Sequence, residues 1–190
     1  RLEPEIFSIE QLKRFVKETE QYKQCIIHLK LETGMNRLGF QVKDVDELIS
    51  IISSHSYIKV GSIFSHLSGS SSTEWDDFTK IQYKSFKSFA KKITNAIGYF
   101  PLLHILNSSG ISRHADMQLD MVRLGIGLYG IESDPTVGTQ LEKVHILKTK
   151  ITQIKKISKD ESISYNRSGR LKKDSIIAVL SMGYADGLPR

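Results

Sequence analysis

Leu29 to Phe40, LKLETGMNRLGF, decides how this chain is read. Ile26, Ile27, Leu29 and Leu31 make an apolar run of the length of a buried strand, and the run stops at Thr33-Gly34. Glycine there permits a backbone conformation that other residues resist. Lys30 lies inside the strand and Arg37 just beyond the turn, so two cations bracket the strand end. Parallel α/β proteins place their chemistry where strands end in polar turns that feed helices. Spacing alone does not decide for function, because a basic pair near a turn is more often solvated surface.

Outward from this stretch, strand alternates with helix. Glu5-Ile6-Phe7 reads as a short strand, and Ser8 can cap a helix over 9–22 carrying Ile9, Leu12, Phe15 and Val16 at helical spacing. Asp44 opens a helix near 44–54, residues 58–67 return to strand, and 68–73 reads as a flexible polar connector. The longest helix is expected from Trp75 to Ile97, with Phe78, Ile81, Phe86, Phe89 and Ile93 on its apolar side. Strand follows at 102–106, a short helical turn at 111–117, and strand again at 121–129. This alternation is the signature of a parallel sheet with helices outside it. From Leu141 the pattern changes to period two in KVHILKTKITQIKKIS, as in a half-exposed antiparallel strand, and Ser175–Ser181 is a second such strand.

Composition narrows the function classes. Hydrophobic content of 39% and charged content of 25% fit a globular protein, and no apolar run is long enough to cross a bilayer. Cys25 is the single cysteine, which excludes an internal disulfide and points to a reducing, cytoplasmic setting. The net charge of +6 is spread over separate lysine pairs without interleaved aromatics, which argues against a nucleic-acid partner. His55, His114 and His145 have no ligand spacing, so no metal site is expected. His28 and His104 lie early in their strands and read as structural. Gly125, Gly127 and Gly130 form G-x-G-x-x-G, but no helix opens after them, so the dinucleotide reading is rejected.

Three ordered segments carry a more specific signal: TGMNRLGF, then NSSG with DMVRLGIGLYG, then ISYNRSG with SMGYADGLPR. Together they resemble bacterial alanine racemases. The resemblance implies a partial TIM-type (β/α)8 barrel followed by the beginning of an antiparallel β domain. Residues 1–131 would be the C-terminal part of the barrel, 132–140 a linker and 141–190 the start of the β domain. An eightfold barrel needs about 250 residues. With five barrel strands expected here, the first three belong upstream of Arg1.

The resemblance also implies the cofactor, pyridoxal 5′-phosphate (PLP), and roles for named residues. Ser108, Gly125 and Ile126 would hold its phosphate. Arg123 would face its ring nitrogen and, having no proton to give up at ordinary pH, would leave that nitrogen unprotonated. His66 would link Arg123 to Tyr165, a base supplied by the β domain. Lys30 stands where many relatives carry a CO2-derived carbamate, which would hold Arg37 against the cofactor's phenolic oxygen. Tyr184 and Arg190 would line the substrate entrance, whereas the acidic residue usual shortly after the His66 position is absent from Ser68 to Thr73. No segment resembles the motif around the lysine that binds PLP covalently, so the chain alone is expected to be inactive.

The implied activity is two-base interconversion of L- and D-alanine for peptidoglycan, by a head-to-tail homodimer, with a fusion to a cell-wall ligase as one possible context. The alternatives are a racemase of other or broad specificity, such as serine, and a non-catalytic PLP-binding barrel, against which Tyr165 and GYADG argue.

Overall fold

The computed structural model describes residues 2–132 and 141–188. Contacts divide the chain into two units that meet between Val144 and His145. Most of the expected linker, and Arg190, lie outside the described residues.

The first unit is built on a parallel sheet of four strands in the order β1 (Glu5–Ile6), β2 (Cys25–Lys30), β3 (Ile58–Phe64) and β4 (Leu102–His104). Helices α1 (Ile9–Thr19), α2 (Val45–Ser54) and α3 (Asp76–Ile97) make the successive crossovers. Ser8 caps α1, its hydroxyl accepting from the Gln11 amide at 3.2 Å. Asp44 does not cap α2: its carboxylate accepts from the Gln41 amide at 2.8 Å and closes a 3-10 turn, Val42–Asp44, that precedes the helix.

Alternation along the strands separates two faces. Ile27, Leu29 and Leu31 of β2 and its extension join Ile63, Leu48, Phe86 and Ile93 in the core beneath the helices. Intervening positions carry His28 and Lys30 on β2, Ser62 and Phe64 on β3, and His104 on β4. The register from β2 to β3 shifts between Ile27 and His28, because Val60 pairs with Ile27 and Ser62 with His28, leaving Gly61 as the extra residue.

Several expectations are corrected. Residues 121–129 form no strand. The Asp120 and Arg123 amides reach the Leu103 and Leu106 carbonyls, both at 3.0 Å, and the chain then turns into a 3-10 segment, Ile126–Tyr129. Segment 68–73 is anchored rather than flexible: Ser70 is 2% exposed, and its hydroxyl donates to Asn107 Oδ1 at 2.8 Å. On α3, Ile81 is 62% exposed while Thr79 and Gln82 are fully buried, because Gln82 serves the loop after β3.

The second unit pairs β5 (Ile151–Ile157) with β8 (Ser175–Leu180) antiparallel, and β6 (Ser162–Ile163) with β7 (Gly169–Arg170). Strand β5 begins later than the period-two pattern, and residues 141–150 have no regular structure. The register shifts between Ile151 and Gln153, which sets Ile151 and Ile154 opposite Leu180 and Ala178 on one face, and both isoleucines are exposed.

Candidate active site

The segment after β2 leaves and returns. The Phe40 amide donates to the Lys30 carbonyl and the Glu32 amide to the Phe40 carbonyl, each at 2.9 Å. Gly39 has φ +137, and a Cβ there would stand 2.6 Å from the Glu32 backbone nitrogen, so only glycine closes this loop. The loop projects Arg37 as an exposed cation. Lys30 is 7% exposed, 3.2 Å from Glu5 Oε1, and lies over the Phe64 ring. Glu5 is thus an acid beside Lys30 that its place in the sequence did not reveal. A carbamate at Lys30 would stand beside that carboxylate.

The loop after β3 carries His66. Gln82 fixes it from α3, with Oε1 accepting from the Ser68 amide at 3.0 Å and Nε2 donating to the His66 carbonyl at 3.3 Å. After β4, Asn107 caps α4 (Ser108–Arg113) through the Gly110 amide at 3.0 Å and donates from Nδ2 to the Leu67 carbonyl at 3.0 Å. The two loops are therefore locked together.

Arg123 sits where these strand ends converge. Its Nη1 donates to His104 Nδ1 at 2.5 Å and its Nη2 to the Ser65 carbonyl at 2.5 Å. Longer bonds reach His66 Nδ1 at 3.3 Å and the Ile105 carbonyl at 3.3 Å. The guanidinium also lies over Phe64, its Cζ 5.1 Å from the ring centroid. Both Nη groups are committed, and Nε–H is the donor left without a partner among the described residues.

Burial, reinforced by the Arg123 charge, pushes both His66 and His104 down from 6.5 to about 4. Arg37 and Lys30 add smaller contributions at His66. Both rings are neutral near pH 7, as acceptance from a guanidinium requires. Burial also lowers Arg123, with Glu5 opposing.

Ser108 faces the glycine segment. Its Oγ accepts from the Gly125 amide at 2.9 Å and the Gly127 amide at 3.1 Å. With both acceptor positions used, the hydroxyl has its own proton left to offer. Beside it lies a cavity of about 400 Å³ lined by His66, Ser70, Asn107, Ser108, Arg123 and Ile126 among others, with no carboxylate among the described residues of its wall. A free hydroxyl donor and a wall without carboxylates among the described residues suit a phosphate group, and Arg123 beside them can donate to a ring acceptor, so these residues fit PLP.

The structure thus brings together Lys30, His66, Ser108, Arg123, Gly125 and Ile126 in the first unit. Tyr165 and Tyr184 belong to the second, where both are exposed, Tyr165 by 80%. Ser164, Asn166 and Arg167 around Tyr165 all have positive φ, a cluster rare for side-chain-bearing residues. Sequence reasoning missed the contact of His104 with Arg123 and the roles of Gln82 and Asn107. Among the described residues no group of three His, Cys, Asp or Glu could hold a metal ion.

Polar groups that converge beyond the carboxyl ends of parallel strands, around an anion-compatible cavity, define the cofactor-binding class of α/β proteins. The chain belongs to the alanine racemase family: residues 1–133 match the model of the alanine racemase N-terminal domain and 144–190 that of the C-terminal domain. That family is PLP-dependent. An alanine racemase of Fusobacterium nucleatum is 42% identical over 167 residues, covering 86% of this chain and 45% of the relative. One from Treponema denticola is 37% identical, covering 96% and 48%.

Among solved structures, an alanine racemase of Clostridium difficile 630 superposes with a TM-score of 0.83 at 27% identity, covering 100% of this chain and 50% of that one. The enzyme from Bartonella henselae, solved with covalently bound pyridoxal phosphate, gives 0.80 at 25% identity, covering 100% and 51%. The chain spans about half the length of the curated relatives it matches.

Proposed function

We propose that this chain is the second part of the barrel and the start of the β domain of an alanine racemase, which interconverts L- and D-alanine and supplies D-alanine for peptidoglycan. The observation that carries the reading is Arg123: among the described residues, a guanidinium with both Nη groups held by protein acceptors, Nε–H left unpartnered, and a cavity beside it lined by no carboxylate. Bound PLP would delocalise the charge left at Cα when the α-proton departs.

The residues of this chain then divide the work. Ser108 and the Ile126 backbone would hold the phosphate, with Gly125, whose amide donates to Ser108 Oγ, setting the hydroxyl toward it. Arg123 would offer its Nε–H to the ring nitrogen and keep its proton, which would favour proton exchange over transamination. Neutral His66 has Arg123 Nη2 at 3.3 Å from Nδ1 and Asn107 Nδ2 at 3.5 Å from Nε2, and acceptance at the shorter contact would leave its proton on Nε2. That proton is what His66 can offer the Tyr165 oxygen.

A phenol with an ordinary pKa of about 10 needs such a donor and nearby positive charge to act as a base. Tyr165 takes or returns the α-proton on one face of the substrate, and a lysine outside this chain serves the other. Arg37 and Lys30 steady the phenolic oxygen side, and Tyr184 and Arg190 line the entrance. Tyr165 is contributed across a head-to-tail homodimer in the cytoplasm. Fusion to a cell-wall ligase remains a compatible context.

The test is polarimetric racemisation of alanine by the full-length protein with PLP, against a panel including serine. Alanine turnover well above serine is expected, and none with alanine would overturn the proposal. The 190-residue chain alone should be inactive.

A further inference from the structure

The polar face of the sheet contains a line of hydrogen bonds that runs away from the cavity. Arg123 Nη1 donates to His104 Nδ1 at 2.5 Å. His104 Nε2 is 3.0 Å from Ser62 Oγ, Ser62 Oγ is 2.7 Å from His28 Nδ1, and His28 Nε2 is 3.1 Å from Glu3 Oε2. The line crosses β4, β3 and β2 and ends on a partly exposed carboxylate.

Its ends fix its direction. A guanidinium can only donate and an ionised carboxylate can only accept. His104 must therefore present a bare Nδ1 to Arg123 and carry its proton on Nε2, which donates to Ser62. The serine hydroxyl then donates to a bare Nδ1 of His28, whose Nε2–H donates to Glu3. Each of the three inner members uses one donor and one acceptor, and with both rings neutral, reversing any one of them would set hydrogen against hydrogen.

Two features hold the line in place. His104 stacks on Phe64 with centroids 4.9 Å apart and planes at 4°, which fixes the imidazole plane. At the β2–β3 irregularity, a Cβ on Gly61 would stand 2.7 Å from Ile26 Cγ2 and 3.2 Å from His28 Cε1, so the bare glycine leaves room for the His28 ring.

We infer that His104, Ser62, His28 and Glu3 are positioning residues that act through Arg123, a one-directional hydrogen-bond chain delivering the pull of the Glu3 carboxylate to the guanidinium. The chain holds His104 in the tautomer that accepts from Arg123, and so fixes the plane of the guanidinium beside the cavity. The catalytic part of this inference rests on Arg123 facing PLP, as proposed above; the hydrogen-bond chain does not.

The experiment is 15N NMR of histidine-labelled full-length protein, without and with PLP, alongside alanine kinetics. His28 and His104 should both show the proton on Nε2 and a bare Nδ1. Glu3→Gln, which keeps an acceptor and drops the charge, should move the His28 resonances most and those of His104 by less. Ser62→Ala should disturb both rings and lower kcat about tenfold at nearly constant KM, roughly one neutral hydrogen bond lost, and Ser62→Thr should restore much of it.

An Nδ1–H proton on either ring would overturn the inference, as would His104 resonances indifferent to Glu3→Gln or a kcat indifferent to Ser62→Ala. The tautomers are read without PLP. The expected tautomers in a protein that does not racemise alanine would thus uphold the hydrogen-bond chain and overturn only the reading of the reaction.

Discussion

Replacing Gln82 by leucine separates the scaffold of the site from its chemistry. Gln82 is fully buried in α3, yet its amide receives the Ser68 amide at 3.0 Å and the Ser68 hydroxyl at 3.2 Å, and donates to the His66 carbonyl at 3.3 Å. Leucine fills nearly the same volume, so the cavity contribution is small. The exposed Ser68 hydroxyl can turn to water, which leaves two backbone bonds as the real loss. At about 1 kcal/mol net for each, Gln82→Leu should destabilise the full-length protein by about 2 kcal/mol. Urea unfolding followed by circular dichroism should show a lower midpoint with an unchanged slope. Because the same bonds hold the loop carrying His66, racemisation should fall as well, with kcat affected more than KM. A midpoint and kcat both matching the wild type would refute the argument that Gln82 holds the loop.

Acid should destabilise the protein through two imidazoles. His66 and His104 fall from 6.5 to about 4 on folding, so the unfolded chain binds more protons between those values; their contribution is complete above pH 6.5 and is lost as pH falls through about 4. Urea midpoints measured across this range should show the slope, and His104→Asn should flatten it. Ser108→Ala removes a hydroxyl donor to an anion, worth about 1.5–3 kcal/mol, and should weaken PLP binding about ten- to a hundredfold in a fluorescence titration. Tyr165→Phe should nearly stop conversion starting from L-alanine while the α-proton of D-alanine still exchanges with deuterium. Mixing that variant with one lacking the PLP-binding lysine should restore activity, and mixed dimers without recovery would contradict a shared site.

Helical periodicity made α1, α2 and α3 legible, since Leu12, Leu48 and Phe86 face one core, each from its own helix. Strands β2 and β3 were legible as apolar runs, but their second face was not. His28, Ser62 and His104 come together only through strand register, which a single sequence does not display. The alternating residues of 121–129 imitate a strand, yet Gly125 and Gly127 turn the chain against Ser108. Gln82 was hidden because a buried amide on a helix's apolar side looks like an interruption until its loop partners are known. Ser108 and Arg123 were reached only through the wording of their motifs; composition and spacing left both as ordinary turn and strand residues.

The most direct test of the account is the protonation of the cofactor's ring nitrogen opposite Arg123. Full-length protein reconstituted with PLP labelled with 15N at that position should give an NMR signal of an unprotonated nitrogen near pH 7, because the guanidinium donates a hydrogen bond without surrendering its proton. Arg123→Glu should convert the signal to that of a protonated nitrogen. A protonated nitrogen in the wild type, or a signal indifferent to the substitution, would contradict the placement of Arg123 against the cofactor and the mechanism built on it.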